Sequence, residues 1–171
     1  NQISSLNYRE SIREKPAMYI SSTIDPRQLL CEAVDNTIDE FVSGYGNEIN
    51  VHIFKDGKTS VTDFGRGMPV GPHPTLKNDD GSPMDTLTCL TTILHCGGKF
   101  SSENTGYKTG TSGTFGIGIK CNNYLSSYFC VRVKRDGNIY QQEFKEGISI
   151  TEVEIVDKCD KEDTGTTIIY I

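Results

Sequence analysis

Two Asp-Gly pairs, each between runs of alternating apolar and polar residues, constrain the fold of this chain more than any other feature. The runs and turns are residues 48–54, Asp56-Gly57 and residues 59–63, and then residues 127–134, Asp136-Gly137 and residues 138–144. An Asp-Gly pair in this setting predicts a tight turn that joins two antiparallel strands. The chain is therefore expected to contain at least two β-hairpins, which excludes an all-helical fold.

Helical patterns occupy the first two thirds of the sequence. Apolar side chains recur at helical spacing through residues 26–45, at Leu30, Val34, Ile38 and Phe41, and Gly44 and Gly46 follow. A second helix is expected to begin after Asp85 and to run to Gly97-Gly98, and a third to end near Leu125, whereas residues 70–83 are expected to form a loop. Further strands are expected over residues 148–156 and 166–171. Helices followed by hairpins predict an α+β fold.

Length and charge narrow the class of protein. The chain has 171 residues, 35% of them apolar, and a net charge of -6, which suits one globular domain that does not grip a nucleic-acid backbone by itself. The sequence contains no signal-peptide pattern and no apolar run of about 18 residues, so we expect no membrane association and a cytoplasmic location. It does not begin with Met, and we expect a piece of a longer chain.

The six cysteines and three histidines show no metal-ligand spacing. Most of the cysteines lie in apolar runs, where a free thiol behaves as a small hydrophobic side chain. The sequence therefore predicts buried, reduced thiols and assigns no role to the histidines.

One face of the first helix carries polar residues that could act on a phosphate. Glu32, Asn36 and Asp39 fall within about 60° of one another around the helix axis. A carboxylate and an amide one turn apart can orient a water molecule and bind Mg²⁺ through oxygen. The same pattern is typical of a solvated acidic face, and this helix alone favours that alternative.

Asp63 ends a predicted strand directly before the sequence Phe64-Gly-Arg-Gly-Met-Pro69. A carboxylate there can accept a hydrogen bond from an exocyclic amine such as that of adenine, and the glycines would let a flat base approach the backbone. The alternative is an Asp that only forms a turn.

A glycine-rich segment opens the third helix. Backbone N–H groups at the start of a helix suit a phosphate, and Gly113-Thr-Phe-Gly-Ile-Gly118 could present them. The segment lacks the Gly-Lys-Ser/Thr of a P-loop, and a flexible loop is the alternative. Lys99 could reach a terminal phosphate and Thr166 carries a hydroxyl at the start of a strand, although each is also ordinary surface or strand chemistry.

Taken in order, these segments resemble the ATPase domain of the GHKL superfamily, and within it the B subunits of bacterial type II topoisomerases (DNA gyrase and topoisomerase IV). The matching motifs are Arg13-Glu-Lys-Pro-Ala-Met-Tyr-Ile20, Glu32-Ala-Val-Asp-Asn-Thr-Ile-Asp-Glu40, Asp63-Phe-Gly-Arg-Gly-Met-Pro69, Leu94-His-Cys-Gly-Gly-Lys-Phe100, Asn123-Tyr-Leu-Ser126 and Asp163-Thr-Gly-Thr166. The resemblance implies one domain over residues 1–171, folded as a two-layer α/β sandwich of the Bergerat type. Its sheet would be mixed and mostly antiparallel, with helices on one face.

The resemblance also implies roles for particular residues. Glu32 would be the general base, Asn36 a Mg²⁺ ligand and Asp63 the acceptor of the adenine amine, with Arg66 paired to Glu40. The other ATP-binding positions would be Gly67, Met68, Pro69, Gly98, Lys99, Tyr107, Thr114, Phe115, Gly116, Ile117, Gly118 and Thr166. Aminocoumarin-type inhibitors would bind at a rim formed by Arg135, Pro69 and Ile93.

Partners follow from the same resemblance. The intact protein would bind DNA through other domains, join a topoisomerase A-type subunit and form a homodimer when ATP binds, whereas this fragment would be a monomer that hydrolyses ATP poorly. The alternatives are another GHKL ATPase (MutL-like, heat-shock chaperone or histidine kinase) and a non-catalytic nucleotide-binding module. The run Val34-Asp-Asn-Thr-Ile-Asp-Glu40 favours the topoisomerases.

Three departures from the family pattern stand out. Phe115 lies where the family usually has His, Phe64 replaces a second Asp after Asp63, and the segment of residues 107–113 is about one residue longer than usual. Any role of the imidazole is therefore absent from this chain. The extra residue in segment 107–113 affects the contacts expected from Tyr107 more than those of the other predicted residues.

Overall fold

A computed structural model describes residues 5–20, 26–94, 96 and 117–171 of the chain. The helices are α1 (Ser5–Glu14), α2 (Pro26–Val42), α3 (Thr86–Thr92) and α4 (Gly118–Leu125), with a short 3₁₀ helix at Pro16–Met18. The strands are β1 (Ile49–Ile53), β2 (Thr59–Asp63), β3 (Pro72–Lys77), β4 (Pro83–Asp85), β5 (Phe129–Arg135), β6 (Asn138–Lys145), β7 (Ile148–Ser149), β8 (Glu154–Lys158) and β9 (Gly165–Tyr170). Within the part described, no helix has the length and apolar character needed to cross a membrane.

Seven strands form one sheet in the order β1-β2-β9-β5-β6-β7, with β8 also paired to β6. Every pairing between these described strands is antiparallel, whereas a mixed and mostly antiparallel sheet was expected. Both predicted hairpins are present. Asp136 and Gly137 have φ values of 53° and 80°, the left-handed backbone that a two-residue turn between antiparallel strands requires.

The helices cover one face of this sheet. Val61, Ile168 and Val131 face one another across β2, β9 and β5, and all three lie in the same apolar core as Ala33 of α2 and Leu87 of α3. The opposite face carries polar pairs such as Thr62 and Thr167, whose hydroxyls hydrogen bond at 3.0 Å. The α+β, two-layer prediction is therefore confirmed.

The apolar stripe predicted for α2 is partly wrong. The buried residues of this helix are Ala33, Thr37 and Glu40, whereas Ile38 is 36% exposed. Ala33 and Thr37 are small enough for the helix axis to lie close to the sheet, and the carboxylate of Glu40 is buried because it is ion-paired. The helix also ends at Val42 rather than Tyr45.

Residues 70–83, expected as a loop, contain strand β3 and the start of β4, which form a separate two-stranded sheet. The sequence analysis missed these strands because they contain prolines. Proline has no N–H to donate to a neighbouring strand and occurs in strands mainly at sheet edges. Gly81, with φ of 84°, supports the turn between the two strands.

Two helices differ from the prediction. Helix α3 begins, as predicted, with the Asp85 side chain accepting from Leu87 N–H, but it ends at Thr92, before the glycines at residues 97 and 98. Helix α1 was not predicted. Its Ile12 is fully buried in a second apolar cluster with Leu94 and Tyr124.

Candidate functional site

Asp63 lies at the end of β2 and is 3% exposed. Its Oδ1 accepts two backbone hydrogen bonds, from Gly65 N–H at 2.9 Å and from Thr166 N–H at 3.1 Å. Among the described residues no hydrogen bond ends on Oδ2. One oxygen is thus held by the protein, and the other can accept a hydrogen bond from a bound molecule.

Burial dominates the electrostatics of Asp63. Loss of solvation raises the pKa of this carboxyl above 3.8, although the hydrogen bonds from Gly65 and Thr166 lower it, and the nearby Glu40 raises it further. A folded-state pKa above the unfolded value means that ionisation of Asp63 costs stability as pH rises above about 3.8. A ligand that donates a hydrogen bond to the carboxylate would offset part of that cost.

Strands β5 and β9 hold the turn of residues 64–69 that follows Asp63. Met68 N–H donates to Thr166 Oγ1 at 3.0 Å, and the Thr164 hydroxyl donates to Gly65 O at 2.6 Å. The Arg135 guanidinium donates to Gly67 O at 2.9 Å. Arg135 therefore lies beside this turn, and Pro69, the last residue of the turn, is half-buried.

Gly67 is required in this turn for two reasons. Its φ is 76°, and a Cβ built there would lie 2.6 Å from the carbonyl oxygen of Lys134. A side chain would therefore combine left-handed backbone strain with a clash against the backbone of β5.

We expect Gly67→Ala to lower the free energy of unfolding by about 3–4 kcal/mol, because strain of about 1–2 kcal/mol adds to the displacement of β5 or of the turn. Gly57→Ala is the matched control: Gly57 has φ of 86° but nothing within 4 Å of an added Cβ. The Gly57→Ala variant should lose only the free energy of the backbone strain, about 1–2 kcal/mol. Urea unfolding of both variants measures the difference, and equal losses would contradict the proposed clash.

Glu40 and Arg66 form the expected ion pair, in which the carboxylate is buried and the guanidinium is half-buried. Arg66 Nη2 lies 2.8 Å from Glu40 Oε1, and both Arg66 Nε and Arg66 N–H donate to Glu40 Oε2. The guanidinium carbon lies 4.0 Å from the centroid of the Tyr45 ring. The ion pair between Glu40 and Arg66 therefore connects the C-terminal half of α2 to the turn that follows Asp63.

Glu32 lies two turns earlier on α2 and faces the start of α4. Gln28 Nε2 donates to Glu32 Oε1 at 2.8 Å. A Cβ added to Gly118, the first residue of α4, would overlap Glu32 Oε2. The carboxylate therefore lies against the helix N-terminus, where the partial positive charge stabilises an anion.

The two ends of the site are joined by α2. Glu32 and Glu40 are eight residues apart, which is about 12 Å along a helix. Half-buried Asn36 lies between them, one turn from Glu32, and its side chain makes no hydrogen bond within the described ranges. The site is thus elongated, with Asp63 and its turn at one end and Glu32 with Gly118 at the other.

The other predicted positions lie at the ends of helices or outside the described residues. Ile93 follows α3 and is half-buried. Ile117 directly precedes α4. The remaining predicted positions lie outside the described residues: Gly98, Lys99, Tyr107, Thr114, Phe115 and Gly116.

Two contributors were missed by the sequence analysis. Gln28 was not among the predicted site residues, although its spacing of four from Glu32 allows the observed hydrogen bond along the helix. Thr164 belongs to the quoted motif Asp163-Thr-Gly-Thr166, but nothing in the sequence indicates that its hydroxyl reaches Gly65.

Comparison with known proteins assigns the chain to a family. The profile of the family described as histidine kinase-, DNA gyrase B- and HSP90-like ATPases matches residues 22–169. The chain belongs to this ATPase family.

The relatives of the chain include B subunits of DNA topoisomerase 4 and of DNA gyrase. The chain is 45% identical over 164 residues to the B subunit of DNA topoisomerase 4 from Staphylococcus aureus (strain MW2), covering 94% of this chain and 23% of that protein. It is 41% identical over 166 residues to the B subunit of DNA gyrase from Myxococcus xanthus, covering 96% of this chain and 19% of that protein. The chain thus spans about a fifth of the length of these relatives.

A solved structure agrees with the sequence comparison. The ATP-binding domain of topoisomerase IV from Francisella tularensis, in complex with a small-molecule inhibitor, superposes with a TM-score of 0.73 and 32% identity. The match covers 94% of this chain and 40% of that one.

Proposed function

We propose that this chain is the ATP-binding and ATP-hydrolysing domain of the B subunit of a type II DNA topoisomerase. The observation that carries the proposal is Asp63, whose Oδ1 is held by two backbone N–H groups while Oδ2 has no donor among the described residues. The similarity to the B subunits of topoisomerase IV and gyrase over 94–96% of the chain supports it.

Adenine is the base that suits the Asp63 end. A carboxylate oxygen accepts a hydrogen bond from the exocyclic amine of adenine, and the hydroxyl of Thr166 lies beside it on β9. Arg66, Gly67, Met68 and Pro69 would line the pocket, since their turn is fastened to β5, β9 and α2.

The Glu32 end suits the triphosphate. Backbone N–H groups at Ile117 and Gly118, where α4 begins, would bind phosphate oxygens. Glu32 would orient the attacking water and take its proton. We propose from the sequence alone that Gly98, Lys99, Tyr107, Thr114, Phe115 and Gly116 complete the phosphate contacts.

Asn36 is the residue that we propose to bind Mg²⁺. Its amide oxygen is a ligand type that Mg²⁺ accepts, and no hydrogen bond of the described residues competes for it. The ion would neutralise phosphate charge.

At the level of the whole protein, we propose that ATP-driven homodimerisation gates the passage of DNA held by other domains, together with an A-type subunit, in the cytoplasm. The domain by itself would be a monomer. Aminocoumarin-type inhibitors would bind near Arg135, Pro69 and Ile93.

Base selectivity tests the proposal directly. We expect the thermal midpoint of the domain to rise with Mg²⁺ and a non-hydrolysable ATP analogue, by the equivalent of about 2.7 kcal/mol at 100 times the dissociation constant. The matching GTP analogue should bind at least about tenfold more weakly, because a guanine carbonyl would oppose the Asp63 carboxylate. Equal stabilisation by both analogues would contradict the assignment of Asp63.

A further inference from the structure

A cluster of three side chains outside the proposed nucleotide site brings two thiols together. His73 of β3, Cys89 of α3 and Cys96 lie with their ring nitrogen and sulfur atoms within 4.8 Å of one another. Cys89 is fully buried and Cys96 is 8% exposed. Cys96 follows α3, outside any regular element, whereas Cys89 is within the helix.

The orientation of His73 defines which atom faces the sulfur of Cys96. The Nδ1 atom accepts hydrogen bonds from Thr75 N–H at 3.2 Å and from Leu76 N–H at 3.0 Å, so it carries a lone pair. Loss of solvation lowers the pKa of His73, which keeps the ring neutral. The ring proton is therefore on Nε2, which lies 4.0 Å from Cys96 Sγ.

Two further groups favour a thiolate at Cys96. The hydrogen bond from the Cys89 thiol lowers the pKa of Cys96 most, and the charge of Lys120 lowers it further, which together outweigh burial. Lys120 on α4 is 2% exposed, and its own pKa is lowered to about 8 by burial. The same hydrogen bond raises the pKa of Cys89, so the two thiols are unequal.

We propose that Cys96 and Cys89 form an oxidisable dithiol, in which Cys96 attacks a hydroperoxide and Cys89 then closes an intramolecular disulfide. A sulfur activated as a thiolate beside a second thiol within 4.8 Å is the arrangement that this reaction needs. None of the three side chains is a proposed contact of ATP, and Cys96 lies two residues before Gly98, a proposed phosphate contact.

Atoms and electrons balance in both steps of this oxidation. The Cys96 thiolate attacks the terminal oxygen of the hydroperoxide, an S–O bond forms, the O–O bond breaks, and the leaving alkoxide or hydroxide takes a proton. The Cys89 sulfur then attacks the sulfenic sulfur, the S–S bond forms, the S–O bond breaks, and water leaves. Two thiols are oxidised while one peroxide is reduced.

A metal ion is the other class of occupant for a His-Cys-Cys cluster, and two observations disfavour it. The proton on His73 Nε2 occupies the lone pair that a metal would need, and moving it to Nδ1 would break the bonds from Thr75 and Leu76. The buried ammonium of Lys120 would also repel a cation. Zinc binding is therefore the competing outcome in the test.

The experiment treats the reduced protein with hydrogen peroxide and analyses the unreduced peptides by mass spectrometry. We expect a cross-linked peptide that contains Cys89 and Cys96 and disappears on reduction with dithiothreitol. Cys89→Ser should abolish the cross-link completely and leave a sulfenic acid on Cys96 that dimedone traps. Cys130→Ser, a change at a buried cysteine of β5, should leave the cross-link unchanged.

Two results would overturn the proposal. In the first, peroxide oxidises the exposed Cys31 while Cys89 and Cys96 stay reduced. In the second, the wild-type protein binds one Zn²⁺, the ion is lost in Cys89→Ser, and the bound metal blocks oxidation, which would identify a metal site instead.

Discussion

Replacing Glu32 by glutamine is expected to reduce ATP turnover by about 10²–10⁴-fold, the contribution typical of a positioned general base, while the affinity for ATP stays close to that of the wild type. Glutamine has the same length and can still hydrogen bond to Gln28, but it cannot take a proton from water. Its amide also fits against Gly118, where the carboxylate now lies. The substitution thus removes a proton acceptor with little change of shape.

Turnover is measured as phosphate release by the full-length protein with its A-type partner, and affinity by titrating the domain with a non-hydrolysable analogue. Glu154→Gln, the same chemical change at an exposed position of β8, serves as the control and should leave both quantities unchanged. Parallel loss of turnover and affinity in the Glu32 variant would show that Glu32 acts in binding and not as the base.

Asp63→Asn is expected to weaken nucleotide binding by about 100-fold or more. Asp63 accepts from two backbone donors on one side and, in the proposal, from the adenine amine on the other. Asparagine has one acceptor oxygen, so its NH₂ group must face either the backbone donors or the adenine amine. In either orientation the NH₂ group faces another N–H donor, and buried donors are left without an acceptor. A charge-assisted hydrogen bond worth about 1.5–3 kcal/mol is also lost.

The thermal midpoint with and without Mg²⁺ and the ATP analogue measures this effect. Asp56→Asn, in the exposed turn between β1 and β2, is the matched control and should respond to the analogue as the wild type does. Without ligand, the Asp63 variant avoids the cost of a buried charge at neutral pH, because the pKa of Asp63 is raised. An unchanged response to the analogue would refute the role of Asp63 in binding the base.

Local chemistry accounts for the elements that were predicted correctly. The turn at Asp136-Gly137 is determined by two consecutive residues that tolerate left-handed backbone, and the start of α3 by the Asp85 cap. Both depend on neighbours within four residues. The ordered motifs around Glu32 and Asp63 likewise identified the family, because each is a contiguous string.

The errors arose where burial depends on distant partners. Helical spacing marked Ile38 as a core residue, yet Ile38 is exposed and Glu40 is among the buried residues of α2. The charge of Glu40 is neutralised by Arg66, 26 residues later in the chain. The thiol cluster escaped notice for the same reason: His73 and Cys89 show no metal-ligand spacing, and only the folding of β3 and α3 brings them together.

The sequence by itself determined the antiparallel hairpins, the α+β class and the family, since these follow from turn chemistry, periodicity and contiguous motifs. Only the tertiary structure decided which oxygen of Asp63 is occupied, because Thr166, whose backbone N–H holds it, is 103 residues away along the chain and adjacent only through the pairing of β2 with β9. It also decided that Glu32 faces Gly118, where α2 packs on α4. Hydrogen bonds and burial between distant segments are properties of the packed sheet and helices, and no local pattern encodes them.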